Sequence, residues 1–181
     1  MELEVIACPE HLTESIAIPG HVAISIEDYQ SLFKINFPNL IIINDQVYRA
    51  FSDSRIDVGS IAMNSITRIN TRALIRQLIS VEPYDISRAQ ATRKMTLEVD
   101  FLNRRHATSD EFPFEYIVDG MKKYFLHRII TKNQKFIVEL DKVRFIVTVL
   151  EITNGDSEKL CYEHTIIDIR SKSVKILEKN I

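Results

Sequence analysis

The stretch MTLEVDFLNRR, from Met95 to Arg105, is the most informative part of this chain. Apolar and polar residues alternate through its first half, which predicts a β-strand with one buried face. Asn103 ends the alternation, and Arg104 and Arg105 then place two guanidinium groups where the strand ends. Paired arginines on a rigid strand favour an acidic partner, and the simpler alternative is an ordinary solvated strand end. The residues predicted to face inward are Met95, Leu97, Val99 and Phe101.

Composition predicts a compact folded protein and argues against a nucleic-acid-binding surface. The chain has 181 residues, of which 45% are hydrophobic and 27% charged, and its formal net charge is -2. Any attraction for an acidic partner must therefore come from a local cluster. Cys8 and Cys161 lie far apart and form neither a disulfide framework nor a metal motif, which fits a reducing compartment. No basic leader opens the sequence and no apolar run is long enough to span a bilayer, so we expect a cytoplasmic protein.

The first half predicts a small β-barrel, because it contains many short apolar runs separated by turn signals. Asn44-Asp45-Gln46 separates two of these runs, which predicts a hairpin. The segment from Thr71 to Ile79 is ambiguous: Ala73, Leu74 and Leu78 suit one face of a helix, with Arg72 and Arg76 at i, i+4. We expect a short helical turn that passes into a strand near Leu78 to Val81. The predicted strands are Leu3–Cys8, His21–Ile26, Leu40–Ile43, Val47–Phe51 and Gly59–Met63.

The second half predicts one helix packed on an antiparallel sheet, an α+β arrangement. Apolar residues at helical spacing predict a helix over Pro113 to Leu126, with capping residues at Thr108 to Asp110. Asp141-Lys142 predicts a two-residue hairpin turn, and Asn154 to Asp156 predicts another turn. The predicted strands that flank these turns or follow them are Lys135–Leu140, Val143–Leu150, Cys161–Ile169 and Val174–Leu177.

These patterns divide the chain into three parts. Residues 1–85 form the predicted barrel, which ends at the sequence Glu82-Pro83-Tyr84-Asp85. Residues 86–93 are polar without clear periodicity and form the predicted linker, and residues 94–181 form the α+β unit.

Several motifs occur in an order that resembles one known family. They are ACPE (Ala7 to Glu10), EDYQS (Glu27 to Ser31), VGSIAMNSITR (Val58 to Arg68), MTLEVDFLNRR, and FIVELDKVRFIVTVLEI (Phe136 to Ile152). Together they resemble the amino-terminal domain of the vesicle-fusion AAA ATPases of the N-ethylmaleimide-sensitive factor family. This resemblance, and not the periodicity, implies a double-psi β-barrel followed by an α+β roll, with a groove between them.

The resemblance also implies a function and a set of site residues. In that family, basic residues facing the groove are thought to receive the acidic carboxy-terminal part of an adaptor protein called SNAP. Arg68, Arg104 and Arg105 match basic positions of the family pattern and are the implied partner-binding residues, whereas Ala7 stands where members can carry a further basic residue. The implied role is docking of SNAP, and through it the SNARE complex, for ATP-driven disassembly in membrane traffic. We therefore expect peripheral recruitment to membranes through partners, without direct insertion, and a monomeric fragment of a hexameric parent.

The sequence carries little sign of chemistry of its own. No G-x-x-x-x-G-K-[ST] motif occurs, so any ATP and Mg would belong to ATPase modules outside this chain, and we expect no cofactor and no metal here. Glu98 and Asp100 are most simply solvated strand residues. Two alternatives stay open: a cofactor-binding domain of the related ubiquitin-pathway AAA ATPases, and a self-processing pyruvoyl-type decarboxylase cleaved at Gly59-Ser60. The simpler interpretation of that bond is a tight turn at Gly59 that Ser60 caps.

Overall fold

A computed structural model gives the fold and describes residues 1–18, 20–33, 39–103, 111–153 and 159–177. The protein is mostly β and divides into two compact units, Met1–Ala89 and Gln90–Ile181. The division falls within the predicted 86–93 linker. Part of that linker is structured, because Ile86–Arg88 form a 3-10 turn whose backbone is capped by the carboxylate of Asp85.

The described part of the first unit is built from short strands with two short α-helices. A 3-10 turn at Glu10–Leu12 and a π-helical turn at Thr13–Ala17 lie between its first two strands. The elements are β1 (Glu2–Ala7), β2 (Val22–Ile24), α1 (Ile26–Leu32), β3 (Leu40–Ile43), β4 (Gln46–Ser52), β5 (Ser60–Met63), α2 (Ser65–Thr71), β6 (Leu78–Ser80) and β7 (Glu82–Pro83).

The strands of the first unit form one seven-stranded, nearly closed, barrel-like sheet in the order β6-β1-β5-β2-β4-β3-β7. The pairs β1–β5 and β2–β4 are parallel, and the other pairs are antiparallel. The predicted barrel is therefore confirmed as a nearly closed, barrel-like sheet. The two edge strands β6 and β7 follow each other in the chain, separated only by the buried Val81.

The predicted hairpin between β3 and β4 is confirmed. Asn44 and Asp45 both have positive φ, and Ile43 pairs directly with Gln46, so the turn has two residues rather than three. Primed turns of this kind match the twist of the flanking strands, and asparagine and aspartate tolerate the left-handed region better than most residues.

Two packed clusters fill the first unit, and β2 takes part in both. Val22 and Ile24 lie in the larger cluster with side chains of β1, β3 and β5. Ala23 points the other way and packs with Leu12 and Ile16 of the two short turns. All three residues of β2 are buried because successive side chains of a strand point to opposite faces and both faces of this strand are covered.

The described part of the second unit holds the remaining strands and a longer helix. The elements are β8 (Gln90–Ala91), β9 (Lys94–Phe101), β10 (Phe112–Pro113), α3 (Phe114–Phe125), β11 (Ile129–Ile130), β12 (Lys135–Leu140), β13 (Val143–Ile152), β14 (Lys159–Leu160), β15 (Ile166–Ser171) and β16 (Ile176–Leu177).

The main sheet of the second unit has the order β12-β13-β9-β15, and it is mixed rather than antiparallel as predicted. β15 pairs parallel with β9, from Ile166 opposite Lys94 to Ser171 opposite Val99. The reason is the connection after β13, which passes through β14 in a separate three-stranded sheet before β15 returns on the far side of β9. The predicted Asp141-Lys142 turn is confirmed, since both residues have positive φ and join β12 to β13.

β9 is the central strand of this unit, and α3 packs on the same core. Met95, Leu97, Val99 and Phe101 are buried as predicted. Thr96 is buried as well, whereas Glu98 and Asp100 are half-buried, because β13 and β15 flank the strand on both sides. The helix contributes its apolar stripe, Ile117, Met121 and Phe125, to this core.

One predicted strand was wrong, and one predicted turn and one predicted set of helix caps cannot be assessed. Cys161–Ile169 is not continuous, because Tyr162 and Thr165 close a turn in which the Thr165 hydroxyl accepts a hydrogen bond from the Tyr162 amide at 3.0 Å. The predicted caps at Thr108 to Asp110 and the predicted turn at Asn154 to Asp156 lie outside the described residues.

Candidate functional site

Arg68 lies in the last turn of α2, which the local sequence holds in place. The helix begins after Asn64, whose side-chain oxygen accepts a hydrogen bond from the Thr67 amide at 2.6 Å. Thr67 and Thr71 are buried, and the Thr71 hydroxyl donates to the Thr67 carbonyl at 2.9 Å. One face of α2 is thus fixed against the first unit, so the start of the Arg68 side chain has a defined position.

The guanidinium of Arg68 is half-buried and incompletely satisfied. Its Nε is buried and has no hydrogen-bond partner among the described residues. Leaving a buried donor unpaired costs about 1 to 3 kcal/mol, and more for a charged group. A carboxylate is the acceptor that fits a guanidinium best, because it can take two parallel hydrogen bonds. Arg68 therefore has the properties of an anion-binding residue held on a rigid element.

The other two predicted partner-binding residues, Arg104 and Arg105, lie outside the described residues. The structure does describe the strand that leads to them. Phe101, the last residue of β9, is buried, and the Leu102 amide donates to the Arg144 carbonyl at 3.0 Å. The chain is therefore firmly held up to Leu102. That these arginines converge with Arg68 stays a prediction.

Ala7, where the resembled family can carry a basic residue, is exposed at the end of β1. It pairs with Met63, directly before the Asn64 cap of α2. A basic residue at this position would lie near the start of the helix that carries Arg68. In the second unit, Lys94 is engaged in an ion pair with Asp168 at 2.6 Å, and Arg93 is exposed.

The segment after α2 leads into a strand, β6 (Leu78–Ser80), as expected for the region near Leu78 to Val81, whereas the alternative of a helix face through Ala73, Leu74 and Leu78 is not formed. The helix ends at Thr71, and Arg72 adopts the left-handed conformation at its C-cap. Ala73 is buried, but Leu74 and Leu78 are 72% and 61% exposed. Leu74, Ile75 and Leu78 thus belong to the surface. This exposure could not be predicted from the sequence, because the helical spacing of these residues is also the spacing of a buried face.

The Gly59-Ser60 bond lies in a tight turn tied to a buried carboxylate. The Ser60 amide donates to the Asp57 carbonyl at 3.0 Å, and Gly59 has a φ of +81°. The Gly59 amide donates to Oδ2 of Asp28 at 2.7 Å, and the Ser25 hydroxyl donates to the same oxygen at 2.8 Å. The positive φ explains the glycine. Ser60 itself begins β5.

The carboxylate of Asp100 is occupied by structural contacts, which argues against an acid–base pair with Glu98. Oδ1 of Asp100 accepts from the Phe101 amide at 2.8 Å and from the Ser173 hydroxyl. Glu98 lies opposite Thr148 and Arg170 in the sheet.

Within the described ranges, no cluster of histidine, cysteine, aspartate and glutamate side chains could hold a metal ion. The described helices include none that is long and apolar enough to cross a membrane. Burial raises the pKa of the Cys161 thiol to about 12, so this cysteine is a poor nucleophile at neutral pH.

Comparison with protein-family models and with curated proteins finds no match to this chain. Any function assigned to it therefore rests on its own residues, their positions and the order of its motifs.

Proposed function

We propose that the chain is the adaptor-binding amino-terminal domain of a vesicle-fusion ATPase. It would dock a SNAP-type adaptor, and through it a SNARE complex, for disassembly driven by ATPase modules outside this chain. The motif order supports the proposal, and so does the succession of a barrel-like unit and a unit with a helix on a sheet. The observation that carries it is Arg68, a half-buried arginine whose Nε has no hydrogen-bond partner among the described residues, at a position that matches a basic residue of the family pattern.

The barrel-like sheet is proposed to have double-psi topology. The support is its two parallel pairs, β1–β5 and β2–β4, each joining strands that are not consecutive in the chain. Such pairs need crossover connections, which a simple up-and-down barrel does not contain.

Binding would work through charge-assisted hydrogen bonds to the acidic part of the adaptor. Arg68 would contribute from α2 of the first unit, and Arg104 and Arg105 from the segment after β9 of the second. An exposed ion pair contributes only about 0.2 to 1 kcal/mol, whereas a hydrogen bond to a charged, partly desolvated group contributes about 1.5 to 3 kcal/mol.

The chain itself is proposed to be non-catalytic. Its sequence lacks a phosphate-binding loop, so purified chain should release no phosphate from ATP above a buffer blank. The Gly59 amide is bound to the Asp28 carboxylate in an ordinary tight turn, which supports the structural role of that bond over self-cleavage. An intact-mass spectrum should show one species, and two fragments split at Gly59-Ser60 would instead support the decarboxylase alternative.

Arg68→Met tests the proposal, because methionine keeps the apolar stem and removes the guanidinium. We expect adaptor affinity to fall roughly tenfold or more, the equivalent of one charge-assisted hydrogen bond. The free energy of unfolding should stay the same or rise, since a buried unpaired donor is removed. A residue with only a structural role would show the opposite, with lower stability and unchanged binding.

Arg104→Glu combined with Arg105→Glu should abolish adaptor binding in a variant shown to be folded by circular dichroism. Lys122→Glu combined with Lys123→Glu is the matched control, because it makes the same charge change on the exposed side of α3. If the arginine reversal binds adaptor as well as the parent chain does, these residues do not form the site.

A further inference from the structure

A short surface segment, Arg72 to Leu78, combines exposed apolar side chains with unpaired arginines. Leu74, Ile75 and Leu78 are 72%, 48% and 61% exposed. Arg72 and Arg76 are also exposed, and neither guanidinium has an ion pair or hydrogen bond among the described residues. Large apolar side chains exposed close together in the chain are uncommon and mark interaction surfaces more often than single exposed ones do.

The residues from Arg72 to Gln77 belong to no helix or strand, yet their backbone is held rigidly. The Arg76 amide donates to the Val5 carbonyl at 2.7 Å, and the Val5 amide donates to the Gln77 carbonyl at 2.9 Å. The Gln77 side chain in turn accepts from the Leu74 amide at 2.8 Å. The backbone of the segment is thus fixed to β1, so binding would cost little ordering of the loop.

Both arginines occupy backbone positions that glycine adopts without strain. Arg72 has a φ of 54° and Arg76 a φ of 67°. Glycine is the usual residue where a helix ends in the left-handed conformation, as it does at Arg72. Strained residues of this kind are enriched where a side chain has a functional role.

The charge carried by this stretch of the chain favours an acidic partner. Between Asn64 and Val81 the chain carries Arg68, Arg72 and Arg76 and no aspartate or glutamate, although the whole chain has a net charge of -2. Exposed arginines beside apolar side chains are typical of the residues that dominate protein interfaces.

The neighbouring strand favours a protein segment over a lipid surface. Glu4 is exposed and pairs with Leu78, and Glu2 is exposed and pairs with Ser80. An anionic membrane presents negative charge everywhere and would be repelled by both glutamates. A protein segment can place its carboxylates at the arginines and away from the glutamates.

We propose that the Arg72 to Leu78 segment is a second contact surface for the adaptor, separate from the guanidinium of Arg68. It takes a segment in which aspartate or glutamate residues flank leucine-type side chains. The carboxylates pair with Arg72 and Arg76, and the apolar side chains cover Leu74, Ile75 and Leu78. This inference rests on the proposed function, because it assigns a surface to the same partner.

The test measures binding of full-length SNAP-type adaptor to the chain and to two double variants. Leu74→Ser with Ile75→Ser should weaken binding roughly tenfold or more, the size common for loss of a central interface anchor. Arg72→Gly with Arg76→Gly should weaken binding and make it less sensitive to salt, while the thermal melt stays close to that of the parent. Glycine suits both backbone positions, so this variant removes charge without disturbing the fold.

Val58→Ser is the matched control, because Val58 is an exposed apolar residue of the same unit, at 65% exposure. If the parent chain binds adaptor and the Leu74 and Ile75 variant binds equally well, the second surface is refuted while the proposed function stands. If the parent chain does not bind adaptor, the proposed function fails and the inference fails with it. Co-sedimentation with phosphatidylcholine–phosphatidylserine vesicles that is lost only in the Leu74 and Ile75 variant would also overturn the inference, in favour of a membrane contact.

Discussion

Asp28 provides the most quantitative stability prediction. Its side chain is 7% exposed, and its Oδ2 accepts hydrogen bonds from the Gly59 amide at 2.7 Å and from the Ser25 hydroxyl at 2.8 Å. The Asp28 amide also donates to the Ser25 hydroxyl oxygen at 3.0 Å, so Ser25 caps the start of α1 while its hydroxyl is held by the Asp28 carboxylate. One carboxylate thus joins the start of α1 to the turn before β5.

Asp28→Ala removes the acceptor of both bonds and leaves two donors without a partner in a buried place. A hydrogen bond to a charged group contributes about 1.5 to 3 kcal/mol, and the two bonds share one oxygen, so we expect a loss of about 2 to 4 kcal/mol. With a urea dependence of about 1 to 3 kcal/mol per molar, a 3 kcal/mol loss lowers the unfolding midpoint by about 1 to 3 M. Far-UV circular dichroism during urea titration measures this shift.

Two further variants make the Asp28 prediction specific. Glu27→Ala changes an exposed carboxylate in the same helical turn and should shift stability by no more than about 0.5 kcal/mol. Asp28→Asn keeps one acceptor oxygen, so its unfolding midpoint should lie between those of Asp28→Ala and Glu27→Ala. If Asp28→Ala and Glu27→Ala give the same midpoint, the carboxylate does not join α1 to the Gly59 turn.

The remaining predictions concern packing, pH and thiol reactivity. Gly120→Ala should change the free energy of unfolding of the second unit by no more than about 1 kcal/mol, since the added methyl group would lie 2.6 Å from a terminal methyl of Leu140 that can turn aside, while alanine favours the helix interior over glycine by about 1 kcal/mol; a larger loss in a urea titration would contradict this. Hydrogen bonds from Arg55 lower the pKa of Asp53 from 3.8 to about 2. The stability that this pair contributes is therefore present above about pH 4 and lost as the pH falls through 2. An NMR titration measures the pKa of Asp53, and a value near 3.8 would contradict the prediction. Cys161 should resist alkylation at neutral pH until the chain is unfolded, whereas rapid labelling of native protein would show that its thiol is not buried.

Much of the fold was predictable because its signals are local. The turns at Asn44-Asp45 and Asp141-Lys142 combine residues that tolerate positive φ with apolar runs on both sides. The alternation through β9 and the helical stripe of α3 likewise depend only on neighbouring residues. The parallel pairing of β15 with β9 was not predictable, because a strand has the same alternation of apolar and polar residues whether its partner runs parallel or antiparallel.

The candidate site was predictable only in part. Arg68 was singled out by motif resemblance, whereas its unpaired Nε is a property of packing. The strand at Leu78–Ser80 was expected, but the exposure of Leu74 and Leu78 was not, because their spacing also suits one buried side of a helix and does not show where a helix stops. Glycine usually marks the left-handed position where a helix ends, but α2 has Arg72 there, and the second left-handed position is also an arginine, Arg76.

The choice of adaptor tests the central claim most directly. The chain is titrated by calorimetry with a SNAP-type adaptor and, separately, with a ubiquitin-fold adaptor, at low and at physiological salt. We predict saturable binding to the SNAP-type adaptor alone, and weaker binding at the higher salt, where screening limits charge interactions to about 8 Å. Saturable binding to the ubiquitin-fold adaptor, with none to the SNAP-type adaptor, would contradict the claim and assign the chain to the ubiquitin-pathway alternative.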